Sequence, residues 1–157
     1  TKEPLAESEI NKLRLSRTFN TGLATLRQIH FALTDLKLHS QWNEDSKISP
    51  DELRRQIAKN TTVMTPIPED QFLCAFSHIF AGGYSAGYYS YLWAEVLSSD
   101  AFSRFEEEGI FNTETGKSFL NHILEMGGSE EPMELFKRFR GREPQIDALL
   151  RHSGIAA

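Results

Sequence analysis

The sequence has one cysteine, no long apolar run and no excess of basic side chains. The 157 residues carry a formal net charge of -5, so no basic field attracts phosphate backbones and nucleic-acid binding is disfavoured. One cysteine cannot form an internal disulfide, which favours a reducing, cytoplasmic environment. No stretch approaches the ~18 consecutive apolar residues of a membrane-spanning helix. We therefore expect no nucleic-acid partner and no membrane span.

The motifs of self-contained catalytic centres are also missing. None of the five histidines belongs to an H-E-x-x-H helix, so we expect no metal site within the chain itself. No Walker loop occurs. The spacing G-x-S-x-G is present as "GYSAG", but no predicted strand leads into it, so it does not indicate a nucleophile elbow. The stretch "AGGY" is glycine-rich, but it follows a predicted helix rather than a strand, which disfavours a phosphate-binding loop.

Helical periodicity fills the rest of the sequence, with no strand alternation or hairpin signal. We predict an all-α chain in a single domain. The predicted helices span residues 8–40, 50–60, 69–80, 86–99 with a continuation to about 109, and 113–126, and two shorter helices begin near Ser129 and after Pro144.

Local signals sharpen some of these expectations. Ser49, Pro50 and Glu52 form a capping-box sequence, which predicts a helix start. Gly22 weakens the first helix by roughly 1 kcal/mol relative to alanine, and close packing would explain its presence. Cys74 lies in the apolar run "FLCAFSHIF", so we expect a buried, inert thiol.

The segment "HIFAGGYSAGYYSYLW", residues 78–93, contains all four tyrosines of the chain; we call it the glycine–tyrosine segment. Tyr84, Tyr88 and Tyr91 stand at i, i+4 and i+7, so a helix would place their phenols on one face. Tyr89 and Trp93 fall on the opposite stripe, and we expect them to pack against a core.

A flexible turn followed by a row of phenols suits the binding of a substrate. The turn's glycines permit backbone conformations closed to other residues, so the turn is expected to move. Phenols are neutral at pH 7 and donate hydrogen bonds to a carbonyl or oxyanion. The alternative is that all the tyrosines are core aromatics, although each hydroxyl would then need a buried partner.

Three arginines in "KRFRGREP", Arg138, Arg140 and Arg142, are a weaker candidate for binding. They could meet the carboxylate of a peptide C-terminus. We expect a solvated helix end instead, because surface charges seldom carry much energy.

Several separated motifs resemble the C-terminal end of the thimet oligopeptidase family. They are "FSHIFAGGYSAGYYSYLWAEVL", "SRFEEEGIFN", "GGSEEPMELFKRFRGREP" and "LLRHSGI", in the family's order, within a resemblance from about Arg17 to Ile155. The resemblance implies a helical bundle within a larger two-lobed zinc metallopeptidase that hydrolyses short peptides. The family's zinc ligands, an H-E-x-x-H helix and a downstream glutamate, have no counterpart here. The chain would be the C-terminal portion of the catalytic domain, inactive alone, with zinc bound only in the intact parent enzyme.

Site residues are implied only within the glycine–tyrosine segment. The implied catalytic residues are His78, Tyr84 and Tyr91, and the implied substrate-binding residues are Gly82, Gly83 and Tyr88. Tyr91 matches the tyrosine thought to stabilise the tetrahedral intermediate, which suits a neutral phenol near developing oxyanion charge. Tyr84 and Tyr88 match tyrosines that close on the peptide backbone, and the glycines match the hinge of the loop.

Three hypotheses of function follow. The leading one is the C-terminal part of an oligopeptidase, with short peptides and the remaining part of the peptidase as partners; the N-terminus "TKEPLAESE" has no initiator methionine, as expected of part of a longer chain. The alternative is a stand-alone, non-catalytic peptide-binding module. The third is a helical scaffold whose tyrosines are only core. If the leading hypothesis holds, the isolated chain should expose apolar surface and self-associate.

Overall fold

Every regular element in the computed structural model is a helix, and the structure describes residues 3–155. In chain order the elements are α1 (Glu7–Ser16), α2 (Thr21–Ser40), α3 (Pro50–Thr61), α4 (Phe72–Ala75), a 3-10 turn (Ser77–Ile79), α5 (Ser90–Glu108), α6 (Thr113–Phe119), a π-helical turn (Leu120–Leu124), α7 (Pro132–Arg140) and α8 (Asp147–His152). The predicted all-α class is therefore confirmed. Within residues 3–155 no helix combines the length and apolarity needed to cross a membrane.

The chain divides into two compact units, the first ending at Leu92 and the second beginning at Trp93. In the first unit α2 packs against α3, and in the second α7 packs against the π-helical turn. All of the glycine–tyrosine segment except its last residue lies in the first unit. The expectation of a single domain stays a prediction.

The predicted helix over residues 8–40 is wrong in its continuity, because the chain breaks between α1 and α2. The hydroxyls of Ser16 and Thr18 donate to the carbonyls of Leu13 and Leu15 at 2.8 and 3.2 Å. Such local bonds compete with helix propagation. Asn20 then adopts a left-handed conformation with φ 57°, which asparagine tolerates better than most residues.

The capping box at the start of α3 is present as predicted. The Ser49 hydroxyl accepts the Glu52 N–H at 3.2 Å, and the Glu52 carboxylate accepts the Ser49 N–H at 2.7 Å. This pair satisfies two donors that a helix start otherwise leaves without partners.

The predicted helix over residues 69–80 is wrong, since only α4 and the 3-10 turn form there. The Arg55 guanidinium, on α3, donates to the carbonyls of Pro66, Ile67, Pro68 and Asp70. The Asp70 carbonyl, at the start of the predicted helix, therefore points at an arginine rather than along a helix axis. The side chain of Asp70 also accepts the Phe72 N–H at 3.0 Å, which closes a tight turn ahead of α4.

The core of the first unit draws its side chains from both α2 and this irregular stretch. Phe31, Leu38, Phe76 and Ile79 are buried together, and Phe31 stacks on Phe72 with ring centroids 4.8 Å apart. Cys74 is exposed, so the expectation of a buried thiol is wrong. The short turns send Phe76 and Ile79 inward and leave the thiol at the surface.

The turn that leads into the tyrosines is folded back on the chain before it. The Gly82 N–H donates to the Ser77 carbonyl at 2.9 Å, and the Tyr84 N–H donates to the His78 carbonyl at 3.1 Å. A Cβ on Gly82 would lie 2.7 Å from the Cα of His78, and Gly83 has φ +79°. Close backbone approach and a left-handed residue thus account for the two glycines, and motion of the turn stays a prediction.

The core of the second unit is built around Phe139, which is 1% exposed. Its ring lies 5.2 Å from that of Phe119 and 6.1 Å from that of Phe105, measured between centroids. Arg104 covers its face at 4.9 Å and donates to its carbonyl oxygen. An aromatic cluster capped by a guanidinium therefore joins α5, α6 and α7.

A buried carboxylate organises the polar side of the second unit. Asp100 has no exposed surface, and Arg142 donates to both of its carboxylate oxygens at 2.6 Å. The Gln145 N–H adds a bond of 2.8 Å and the Arg140 Nε one of 3.2 Å. These donors compensate a charge that would be costly to bury alone.

The expectation of a solvated helix end is wrong for two of the three arginines. Arg140 is 10% exposed at its side chain, and both Arg140 and Arg142 bind Asp100. Arg138 instead pairs with Glu130 at the surface. Two of the three guanidinium groups are thus already paired with Asp100.

We predict that the stability of the second unit falls in acid. Burial raises the pKa of Asp100, but hydrogen bonds from Arg142, the Gln145 N–H and Arg140 outweigh it and hold this pKa below its usual value. The stabilisation is complete above the ordinary aspartate pKa of about 3.9 and is lost as pH falls through the folded-state value. Urea unfolding of wild type and Asp100→Asn across acidic pH measures this. The same pH dependence in both proteins would contradict it.

We predict opposite effects for alanine at two glycines. At Gly82 the new Cβ meets only backbone atoms of His78, so Gly82→Ala should lower the free energy of unfolding by about 1–3 kcal/mol. At Gly22 nothing lies within 4 Å of such a Cβ. The expectation that close packing explains Gly22 is therefore wrong. Gly22→Ala should leave the free energy of unfolding unchanged or raise it slightly. Urea unfolding followed by circular dichroism compares them, and equal losses would contradict the close approach at Gly82.

Candidate functional site

The four side chains implied as functional in the glycine–tyrosine segment form one continuous aromatic cluster. The rings of Tyr84 and Tyr91 lie 5.0 Å apart, and those of Tyr88 and Tyr91 lie 5.1 Å apart. His78 meets Tyr88 edge-on at 6.3 Å. We call His78, Tyr84, Tyr88 and Tyr91 the tyrosine cluster.

A turn, not a helix, brings these side chains together. The predicted helix from residue 86 is wrong at its start, because α5 begins at Ser90. Ala86 instead has φ 55°, a left-handed conformation that carries strain for a residue with a Cβ. Only Tyr91 of the three clustered tyrosines therefore stands on a helix.

One carboxylate on α2 holds this turn. Asp35 has no exposed surface. Its Oδ1 accepts the Ala86 N–H at 2.8 Å, and its Oδ2 accepts the Tyr88 N–H at 2.9 Å. His39 Nδ1 lies 2.9 Å from Oδ1 and 3.0 Å from the Asp35 carbonyl oxygen. Because that carbonyl can only accept, this nitrogen carries a proton.

Tyr88 joins the cluster to the core of the first unit. Its ring packs edge-on against Phe31 and Phe76 at 5.9 and 5.2 Å. Its hydroxyl donates to the side-chain oxygen of Gln28 at 3.1 Å. Tyr88 therefore has a packing role in addition to any contact with a substrate.

The other phenols are accessible. Tyr91 is 42% exposed and Tyr89 is 54% exposed, so the tyrosines are not all core residues. Trp93 is 50% exposed, and the expectation that Tyr89 and Trp93 pack against a core is wrong. The stripe requires a helix that includes Tyr89, whereas α5 begins only at Ser90 and the chain turns at Tyr89.

Tyr88 and Tyr91 stay protonated at neutral pH, because the pKa of each phenol is raised. Hydrogen bonding with the Tyr84 phenol raises the pKa of Tyr91, and partial burial and the nearby phenols act in the same direction. Burial raises the pKa of Tyr88, although Arg27 opposes this shift. A neutral phenol at Tyr91 remains a hydrogen-bond donor, which is the form that can stabilise an oxyanion.

A cavity of about 850 Å³ also lies in the first unit, and no tyrosine lines it. Its wall includes His30, which is 4% exposed and has its Nδ1 2.9 Å from the Thr61 hydroxyl oxygen. That hydroxyl donates to the Ile57 carbonyl at 2.8 Å, so His30 Nδ1 is the donor to it. Burial and the charges of Arg54 and Arg27 lower the pKa of His30, which keeps the ring neutral at pH 7.

Asp35 and Gln28 are the supporting residues that sequence reasoning missed. A signal for Asp35 was present in "FALTDLKL", where it falls between Phe31 and Leu38 at helical spacing. A carboxylate on an apolar stripe must find donors across the fold. The sequence does not show that those donors are backbone amides about fifty residues away.

The described residues do not fit a zinc ion. Over residues 3–155 no group of three or more histidine, cysteine, aspartate or glutamate side chains could hold a metal.

Comparison with known proteins extends over the whole sequence. The family model described as "Peptidase family M3" matches residues 1–155. Oligopeptidase A of Escherichia coli (strain K12) is 56% identical over 155 residues, which are 99% of this chain and 23% of that protein. Oligopeptidase A of Haemophilus influenzae is 54% identical over 155 residues, with the same shares of 99% and 23%.

A plant relative is similar to this chain over the full length of the chain. The protein named "Probable cytosolic oligopeptidase A" of Arabidopsis thaliana is 50% identical over 161 residues, covering 100% of the chain and 23% of the plant protein. The chain thus spans about a quarter of the length of these relatives. Its sequence matches the family model almost from end to end, and it belongs to peptidase family M3, as the resemblance of its motifs indicated.

Proposed function

We propose that this chain is the C-terminal helical part of an oligopeptidase, in which the tyrosine cluster binds short peptides and stabilises the transition state of their hydrolysis. The observation that carries the proposal is the accessible phenol of Tyr91, which touches Tyr84 and Tyr88 within one unit. Membership of peptidase family M3 and similarity to proteins named oligopeptidase A support it.

The chemistry assigned to the cluster is hydrogen bonding to the peptide. When water adds to a scissile carbonyl, the carbonyl oxygen becomes an oxyanion, and a donor aimed at it lowers the barrier. Tyr91 takes this role because its phenol is accessible and neutral. Tyr84 and His78, at the two ends of the cluster, are proposed to bind the peptide close to the reacting carbonyl.

The turn glycines and Tyr88 are proposed to shape the peptide-binding surface. Gly82 and Gly83 fold the turn back so that the Tyr84 N–H donates a hydrogen bond to the His78 carbonyl. The Tyr88 hydroxyl donates its hydrogen bond to Gln28, so Tyr88 presents mainly its ring to a peptide. An extended peptide can approach such a surface with its backbone carbonyls toward the phenols.

Zinc belongs, in this proposal, to the intact parent enzyme. The described residues of this chain offer no fitting ligand set for the metal. The remaining part of the peptidase would supply it. The chain by itself is expected to lack peptidase activity, and its cytoplasmic location is a proposal that the name of the plant relative supports.

Apolar side chains at the surface are proposed to contact the rest of the peptidase. Phe19 is 78% exposed, Met64 82% and Phe111 95%. Exposed apolar groups of this size favour association. The isolated chain should therefore self-associate through such groups.

We predict that Tyr91→Phe in the full-length peptidase lowers kcat by about 100-fold, because removing one oxyanion donor typically costs that much. The ring and its contacts remain, so the fold and the zinc content should not change. Steady-state hydrolysis of a short fluorogenic peptide, with zinc measured in the same samples, tests this.

Tyr89→Phe is the matched control. It removes a phenol from the same segment that is more than half exposed and outside the cluster, so kcat should stay within about twofold. Unaltered turnover in Tyr91→Phe, or an equal loss in both variants, would contradict the role of Tyr91.

A further inference from the structure

We propose that Asp35 is a positioning residue for Tyr91, holding the turn that brings the tyrosine cluster together. The inference rests on the proposed function of the cluster. Asp35 lies on α2. Among the described residues, its carboxylate makes no hydrogen bond to a side chain of the tyrosine cluster. It acts on the backbone at Ala86 and Tyr88.

The first support is the match between the carboxylate and the turn. The two N–H groups of Ala86 and Tyr88 each meet a different oxygen of Asp35, at 2.8 and 2.9 Å. An amide in place of the carboxylate has a single oxygen, so only one N–H could be satisfied and the other would face an NH₂ group. A buried donor without an acceptor destabilises the conformation that contains it.

The second support is the strain at Ala86. Its φ of 55° is unfavourable for a residue with a Cβ, so neighbouring interactions must hold it there. The bond from its own N–H to Asp35 is placed to do so. Released from Asp35, the turn would relax toward ordinary backbone angles and rotate the residues that follow.

The third support is the path from the turn to the reacting phenol. The Tyr88 N–H donates to Asp35 and the Tyr88 hydroxyl donates to Gln28. Two residues of α2 therefore fix both the backbone and the far end of Tyr88. The Tyr91 ring packs on Tyr88 at 5.1 Å. A shift of Tyr88 therefore displaces Tyr91, and a displacement of about 1 Å can reduce turnover by about 100-fold.

The test is a double-mutant cycle in the full-length peptidase. Asp35→Asn should lower kcat by about 10- to 100-fold, with a smaller change in KM and an unchanged far-ultraviolet circular dichroism spectrum. Tyr91→Phe should cost much less in the Asp35→Asn background than in wild type, because the displaced phenol no longer contributes. A role in general stability alone would leave the two effects additive.

Two further variants control for folding. Thr34→Val alters the residue of α2 immediately before Asp35. Thr34 is 1% exposed and its hydroxyl has no partner among the described residues, so this variant should leave kcat within about twofold. Adding Ala86→Gly to Asp35→Asn should restore part of the lost turnover, since glycine adopts a positive φ without strain.

The outcomes separate this inference from the proposed function. If Tyr91→Phe leaves turnover unchanged, the function proposed for the cluster fails. If Tyr91→Phe lowers kcat but Asp35→Asn does not, or the effects are additive, only the positioning role is overturned. Loss of the fold in both Asp35→Asn and Asp35→Asn with Ala86→Gly would assign Asp35 to general stability and overturn it as well.

Discussion

The pair of hydrogen bonds from the backbone of Ala86 and Tyr88 to the Asp35 carboxylate is the interaction on which the candidate site depends. A helix satisfies its own amides, but a turn must find acceptors elsewhere. Asp35 provides two of them from the buried face of α2. The long helix α2 and His39 fix the carboxylate in place. The turn that is bonded to this carboxylate is therefore held against α2. The position of the tyrosine cluster is therefore set by a residue distant in sequence.

The second unit uses the same device with different donors. Asp100 is as deeply buried as Asp35, and it gathers Arg142, Arg140 and the Gln145 N–H. In both units one carboxylate fixes an irregular stretch against a long helix. A buried charge is stable only when several donors meet it, so each carboxylate selects one conformation of the stretch it binds. The charge thereby contributes specificity to chain segments that have little regular structure.

Local sequence patterns predicted the elements that depend on neighbouring residues. The all-α class and the capping box at Ser49 follow from periodicity and short-range bonds, and the nearness of the tyrosines follows from their spacing even though the helix was misplaced. The errors fall where distant partners act. Arg55 binds the carbonyl of Asp70 at the start of the predicted helix. Asp35 turns the chain at Ala86, so Tyr89 becomes exposed. Helical periodicity cannot identify such partners, because they lie up to 53 positions away in the sequence.

Asp35 holds the turn around Ala86 and Tyr88 in the folded protein by accepting both of their N–H groups. Hydrogen exchange of the ¹⁵N-labelled chain, followed by nuclear magnetic resonance, tests this bond by bond. The amides of Ala86 and Tyr88 should exchange as slowly as those in the middle of α2, although neither lies in a helix, because each is bonded to a buried carboxylate. Asp35→Asn should abolish the protection of at least one of them. Exchange of both wild-type amides at the rate of an unstructured peptide would contradict the account.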